Sequence, residues 1–408
     1  MRRNRRETGA TPPHNPTLIP TNHNTMKKSL IALAFGTLAL GMAEFTMMGI
    51  LPYVAADFGI SIARAGHLIS AYALGVCFGA PILVLARKKP LKQLLMVLVS
   101  LIIIGNLSAS FSPNYWVMLV GRFVSGLPHG AYFGVASIVA SRLADKGKSS
   151  EAVSIMIAGM TVANLFGVPL GTSLSHLISW RITFLFVGIW SIIVFYYIWR
   201  WVPTVEGLQD VGFKGQFRFL RHPAPWLILG ATALGNGGVF CWYSYISPLL
   251  TQVSGFSESS MTALMVLAGF GMVVGNLASG RLSDRYTPGR ILMVAQGGIC
   301  LVLLAIFFLS PSPWLSVSLM FLCTMGLFAV SSPEQLLIIR VAPGGEMLGG
   351  ACIQIAFNLG NAIGAYAGGL AVARGFQYAA LAGVPFTLVG FILAVIFYRR
   401  YQARYEIR

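Results

Sequence analysis

Two ionisable residues of this chain fall inside apolar runs at matching depths, Glu44 and Arg122. An ionisable side chain at the centre of a bilayer costs about 2.5–3.5 kcal/mol on insertion scales, so each requires a chemical reason to be there. Glu44 follows Leu30 by about 14 residues, or about 21 Å of helical rise from one edge of the bilayer. Arg122 lies about seven residues into its run, about 10 Å from the other edge. In a hydrocarbon core of about 30 Å the two depths agree to within about one turn. An arginine that moves onto and off a carboxylate switches it between releasing and holding a proton, which is the chemistry of proton coupling. A static buried pair that only orients two helices is the other reading.

More polar residues share these faces. Thr37, Gly41, Glu44 and Met48 lie on one side of the first helix by their spacing. Arg122, Gly126, His129 and Phe133 do so on the fourth. His129 sits about 10 Å deeper than Arg122. It is placed to titrate near neutral pH or to bond a substrate, or simply to pack beside Pro128. Asn236, Phe240, Tyr243 and Ser247 form a stripe with Trp242 beside it, and Gln354, Asn358 and Asn361 form another. Amides among aromatic rings suit an amphipathic or polyhydroxylated ligand, though Asn and Gln also bridge membrane helices without one. Glu334, about 20 residues into its run, is expected near the inner surface, against headgroups or Arg340. One acidic residue at depth beside an arginine argues against a strongly cation-selective cavity.

The elements that must hold these residues follow from composition. Hydrophobic residues make up 56% of the chain and charged residues 10%, where a soluble domain carries about a quarter charged. The solvent of this chain is therefore lipid. Apolar runs of bilayer length cover 29–55, 66–86, 91–111, 114–142, 150–175, 181–202, 225–253, 259–281, 289–310, 314–339, 345–373 and 376–398. Twelve transmembrane helices make an all-α integral membrane protein with little chain left for a soluble catalytic domain. No nucleophile–base–orienter set or metal-ligand cluster marks an enzyme. The net charge of +17 invites a nucleic-acid reading, but 25 of the 29 Lys and Arg lie in the tails or in turns after even-numbered spans. By the positive-inside rule this bias is a topology signal that puts both termini in the cytoplasm. Cys77, Cys241, Cys300, Cys323 and Cys352 all sit in apolar runs, as packing residues.

The chain is also duplicated. Asn164, Gly167 and Gly171 recur as Asn361, Gly364 and Gly368 at a lag of 197 residues, and Gly75 and Gly79 recur as Gly271 and Gly275 at 196. Two pseudo-symmetric six-helix bundles are expected, at 26–203 and 225–399. Residues 1–25 read as a disordered tail or an extended start, and 400–408 as a second tail. The linker 204–224 carries Phe213, Phe217 and Leu220 at helical spacing, each followed by a basic residue. It is either an amphipathic helix on the inner leaflet or an ordinary solvated connection. A duplicated bundle in lipid is the plan of many secondary transporters, with the substrate near the midplane.

With these features the chain resembles the major facilitator superfamily over nearly everything after Met26. Gly121 to Gly130, including Arg122, is similar to the family's fourth-helix motif, where the resemblance implies a role for the arginine in proton movement. The run with Gly159, Asn164, Gly167, Pro169 and Gly171 resembles the fifth-helix signature of drug/proton antiporters. Gly280 to Arg285, with Arg281, Asp284 and Arg285, is similar to the cytoplasmic loop motif, whose charges latch the halves together. The first-half copy keeps Arg87 and Lys88 but lacks an acidic residue, so no carboxylate latch is expected there. Gly41 to Phe45, Pro128-His129-Gly130 and Ala163-Asn164 resemble the arabinose-efflux-permease type within the family. The resemblance implies the major facilitator fold and a monomer in a bacterial inner membrane. It would export a sugar, nucleoside or drug against protons, with the proton gradient as energy source and no cofactor. An uncoupled facilitator of the same solutes and a non-transporting sensor remain as alternatives.

Overall fold

The computed structural model describes residues 23–60, 62–86, 88–207, 212–257 and 260–405. The first 22 residues of the N-terminal tail and Arg87 lie outside the described residues. No strand occurs among them. Six helices precede the linker: α1 (His23–Asp57), α2 (Ile62–Leu85), α3 (Leu91–Ser110), α4 (Tyr115–Leu143), α5 (Ser149–Val162, continued through a π-helical turn at Ala163–Gly167 into Val168–Leu177) and α6 (Trp180–Trp201). Six follow it: α7 (Pro223–Tyr243), α8 (Met261–Tyr286), α9 (Pro288–Leu309), α10 (Pro313–Ala329, resumed at Ser331–Val341), α11 (Glu346–Ala371) and α12 (Gln377–Tyr405). Among the described residues eleven of these are long and apolar enough to cross a bilayer, and α2 carries a shorter apolar stretch, His67–Gly79. Twelve helices that alternate in direction put the start of α1 and the end of α12 on one face of the bundle, called here the tail side.

Local chemistry sets the helix ends. The Asn114 side chain accepts from the Val117 N–H at 3.1 Å and caps α4, and the Ser179 hydroxyl accepts from the Arg181 N–H at 3.2 Å and caps α6. A side-chain oxygen there satisfies one of the free N–H groups of the first turn. Proline sits in the first turn of α7, α9 and α10, where no intrahelical donor is lost.

Burial varies widely among the helices. In α4, 83% of the apolar stretch is buried inside the protein, against 28% in α9 and α11 and 33% in α12. Large apolar side chains face outward on several helices, among them Ile104, Ile192, Leu301, Phe308, Leu359 and Ile392. Such side chains fit a lipid solvent, since water would penalise them.

The internal repeat is visible as two matching sets of close backbone approaches. A Cβ on Gly75 would fall 2.2 Å from the Phe123 carbonyl oxygen, and one on Gly79 would fall 1.8 Å from that of Leu127, where α2 crosses α4. A Cβ on Gly271 or Gly275 would fall 2.8 Å from the Phe321 oxygen or 1.9 Å from the Met325 oxygen, where α8 crosses α10. The α5 and α11 repeats behave likewise: Gly167 and Gly171 lie on Met42 and Thr46 of α1, and Gly364 and Gly368 on Gly237 and Cys241 of α7. Small residues allow such crossings in lipid, where packing rather than water exclusion drives helix association.

Between α6 and α7 the described residues form two short turns, Gly212–Gln216 and Arg218–Arg221. The ring buried there is Phe219, set against Gly345 before α11. It is not a member of the Phe213–Phe217–Leu220 stripe, and Phe217 is exposed. The linker thus docks on protein through a residue outside its periodic pattern.

Gly79→Ala and Gly275→Ala should each lower thermal stability in detergent by about 1–3 kcal/mol, the cost of forcing a methyl into packed backbone. Gly298→Ala, at a position with open space around it, should leave the melting temperature unchanged. Equal melting temperatures for all three variants and the parent would remove the case for the glycine crossings.

Candidate functional site

The first half builds a polar cluster around α4. Arg122 is fully buried. Its Nη1 donates to the Ala43 carbonyl of α1 at 2.5 Å, and its Nε donates to the Leu68 carbonyl of α2 at 3.3 Å. Its guanidinium lies 4.5 Å from the Tyr72 ring centre and 5.5 Å from that of Phe184. Cations over aromatic faces gain most where water is absent. Arg122 therefore lies on the residue before Glu44 rather than on the Glu44 carboxylate. The carboxylate Oε2 instead lies 3.8 Å from His129 Nδ1. Glu44 Oε2 and Arg122 Nη2 are both buried without a hydrogen bond. The two residues do lie at a common depth, but lateral geometry gave the guanidinium a carbonyl in place of the carboxylate.

His129 is central to this cluster. Its Nδ1 is 2.8 Å from the Tyr72 hydroxyl, which also reaches the Leu40 carbonyl at 3.4 Å. Its ring stacks on Phe133 at 5.3 Å, and its Nε2 has no hydrogen-bond partner. Tyr72 was not among the residues singled out from sequence. It sits at mid-depth of α2, three residues before Gly75, and its hydroxyl is what ties α2 to both Glu44's helix and His129.

Between the halves lies a narrow cleft of about 20 Å³, lined by Phe133, Ile157, Met160, Phe328, Ser331, Glu334, Ile353, Gln354 and Phe357. Gln354 is the sequence-predicted cavity residue that reaches it. Glu334 corrects the expectation for its position: it is 1% exposed and lines the cleft, with Thr232 of α7 and Gln296 of α9 beside it. Counting along α10 gives depth but not whether a residue turns to lipid or to the interior. Of the remaining predicted cavity residues, Trp242 and Asn236 are buried with Nε1 and Oδ1 unpartnered, and Tyr243 packs on Phe240 and Trp242. Asn358 donates to the Gln354 carbonyl of its own helix, and Asn361 Oδ1 has no partner. None of these five side chains lines the cleft.

The fifth-helix glycines act as packing surfaces. A Cβ on Gly159 would fall 1.8 Å from the Ala34 oxygen, and Thr37 of α1 donates across to the Met156 carbonyl at 2.5 Å. Asn164 donates to the Met160 carbonyl inside the π-helical turn, and Pro169 opens the segment that follows.

The halves meet at the tail side. Ser154 of α5 and Asn276 of α8 exchange two bonds, at 2.5 and 2.8 Å. Gln335 of α10 donates to the Phe133 carbonyl of α4 and the Gly350 carbonyl of α11, both at 3.3 Å. The Asp284 carboxylate of α8 accepts from the Ser150 and Glu151 N–H groups that open α5, at 3.0 and 2.8 Å, and Arg281 pairs with Glu151 at 2.9 Å. A carboxylate on the free N–H groups of a helix start also meets the positive end of the helix dipole. Arg285 lies over Tyr286, and Lys88 is exposed on the first-half counterpart.

Residues 33–351 match the family model described as Major Facilitator Superfamily. The chain is 49% identical to AraJ of Escherichia coli (strain K12), over 92% of this chain and 96% of that one. It is 34% identical to the inner membrane transport protein YdhP of the same strain, over 90% and 95%. Its fold matches the crystal structure of the transporter FucP in the outward conformation with a TM-score of 0.73, at 16% identity, over 91% and 99% of the two chains.

Asp284→Asn should loosen the tail-side contact. A charge-assisted bond contributes about 1.5–3 kcal/mol, and losing about 1.4 kcal/mol shifts a population tenfold. Spin labels on the tail-side ends of α5 and α8 should then report a separated population about ten times larger. An unchanged distance distribution would mean that this carboxylate does not hold the halves.

Proposed function

This chain belongs to the major facilitator superfamily, and from that premise we propose that it exports a small organic solute in exchange for protons by alternating access. It is a multi-pass membrane transporter. The observation that carries the exchange reading is the pair of unfilled groups in the first half. Glu44 holds a buried oxygen without a hydrogen bond, and Arg122, bonded to the carbonyl of the preceding residue Ala43, holds a buried nitrogen without one.

An uncompensated buried group of this kind is costly, and a small displacement of either helix removes the cost. When Arg122 leaves the Ala43 carbonyl for the carboxylate, Glu44 is stabilised as the anion and its proton departs. When Arg122 returns to the carbonyl, a proton is required again. The two arrangements differ in proton affinity, and such a difference is what lets a gradient bias a two-state equilibrium. His129 lies 3.8 Å from the carboxylate and is itself within hydrogen-bond distance of the Tyr72 hydroxyl.

The tail side is proposed as cytoplasmic, because 25 of the 29 Lys and Arg fall by sequence in the tails or in turns after even-numbered spans. With the halves closed on that side, the arrangement described is outward-facing: substrate leaves, and a proton enters from outside toward Glu44. Residence in a bacterial inner membrane and function as a monomer complete the reading, with the proton gradient as energy source and no cofactor. Sugars, nucleosides and drugs are the solutes considered, since the cleft mixes rings, an amide and a hydroxyl.

Purified protein in liposomes with an imposed pH gradient tests the proposal. Substrate-dependent proton flux is expected from the parent chain. Glu44→Gln should keep substrate binding within about threefold while abolishing uphill export, because a fixed neutral group no longer distinguishes the two states. Undiminished pH-driven export by that variant would refute proton exchange at Glu44, and downhill flux without proton movement in the parent would make the protein a facilitator.

A further inference from the structure

The cleft between the halves contains one group that the proton exchange does not use. Glu334 is 1% exposed and lines the cleft, and its Oε1 has no hydrogen-bond partner. Among the described lining residues there is no Lys, Arg or His to compensate it. Thr232 and Gln296 lie within hydrogen-bonding reach of the carboxyl group, but both are neutral and bring no charge to offset it. A carboxyl oxygen in that setting is incomplete until a donor arrives, and an ionised one is costly until a cation arrives.

The rest of the lining states what kind of donor fits. Phe133 of α4, Phe328 of α10 and Phe357 of α11 contribute three rings, and Ile157, Met160 and Ile353 contribute aliphatic surface. The other polar side chains are Ser331 and Gln354. The open space is about 20 Å³, room for about one water, so a solute enters as the halves part and then meets a lining that is mostly apolar with a few placed polar groups. A polyhydroxylated solute would leave most of its hydroxyls unpaired here. A solute with an aromatic or aliphatic body and one protonated nitrogen would leave none: the body meets the rings, the ammonium meets Glu334, and the same rings attract the cation.

We infer that Glu334 is the specificity-determining residue of the inter-half cleft and that it selects solutes carrying a protonated amine on an apolar body. The inference rests on the transport reading for its biological meaning, but the binding it describes stands without flux. It also reverses the expectation that a single deep acid beside an arginine disfavours cations. The chain has two such acids, and the second has no arginine.

The test uses the full chain in lipid nanodiscs at neutral pH, with 4-phenylbutylamine and its neutral isostere 4-phenylbutan-1-ol as calorimetric probes. The parent is expected to bind the amine at least about tenfold tighter than the alcohol, the ratio that about 1.4 kcal/mol produces. Glu334→Gln should erase that ratio while leaving alcohol affinity unchanged, which also reports an intact cleft. Glu334→Asp, which keeps the charge one methylene back, should retain a reduced preference. If Glu334→Gln binds neither probe, Glu334→Asp decides: a retained preference supports the assignment and equal affinities overturn it. Equal or absent binding of the two probes by the parent, or a preference that survives Glu334→Gln, overturns it as well. A preserved amine preference with no flux in liposomes would instead count against the transport reading alone.

Discussion

A guanidinium at mid-membrane has no water to turn to, so its acceptors must come from the protein. Arg122 takes them from the backbone of two other helices, at Ala43 on α1 and Leu68 on α2, and rests its faces on Tyr72 and Phe184. One side chain of α4 therefore fixes the position of three further helices. The bonds it makes are possible because α2 already lies against α4 at Gly75, Gly79 and Gly126, close enough that a methyl group would collide with a carbonyl. The polar cluster and the glycine crossings depend on each other. Without the crossings the arginine could not reach its carbonyls, and without the arginine α1 and α2 would lack a common anchor at this depth.

The second half follows the same scaffold and uses it differently. Gly271 and Gly275 reproduce the α2 crossing on α8, yet no arginine occupies the equivalent depth. In place of a cation held on carbonyls, this half presents a carboxylate to the cleft. Duplication preserved the packing, which every helix pair in lipid requires, and released the polar positions. Asymmetry of charge within symmetry of backbone gives the two sides of the cleft distinct tasks.

What the sequence made legible follows from the same physics. Span number, the repeat, and the depth agreement of Glu44 and Arg122 are all one-dimensional quantities, measured along helices whose length the bilayer dictates. The lateral arrangement is not one-dimensional. Glu334 was assigned to the headgroups because counting along α10 gives height alone, while its buried position depends on which way Ser331–Val341 faces after the break at Val330. Tyr72 escaped notice because a tyrosine in an apolar run reads as a packing residue until its hydroxyl is seen on His129. Asn358 read as a ligand contact, although its amide is spent on its own helix. The linker ring that docks, Phe219, has no periodic signature because it is fixed by Gly345, far along the chain.

The π-helical turn in α5 carries one further consequence. A ladder of small residues spaced by four drifts around an ordinary helix by about 40° per step. Gly159, Ala163, Gly167 and Gly171 would thus rotate away from α1 over their length. The wider turn at Ala163–Gly167 takes up part of that drift, and all four contact α1, at Ala34, Gly41, Met42 and Thr46. The two helices are thereby keyed together over about 18 Å, more than half of the bilayer. At one end of this keyed pair lies the α5 start held by Asp284. Along its other member lies Glu44. The proposed proton site and the inter-half contact therefore lie on one continuously packed pair of helices, which gives a displacement at either end a direct path to the other.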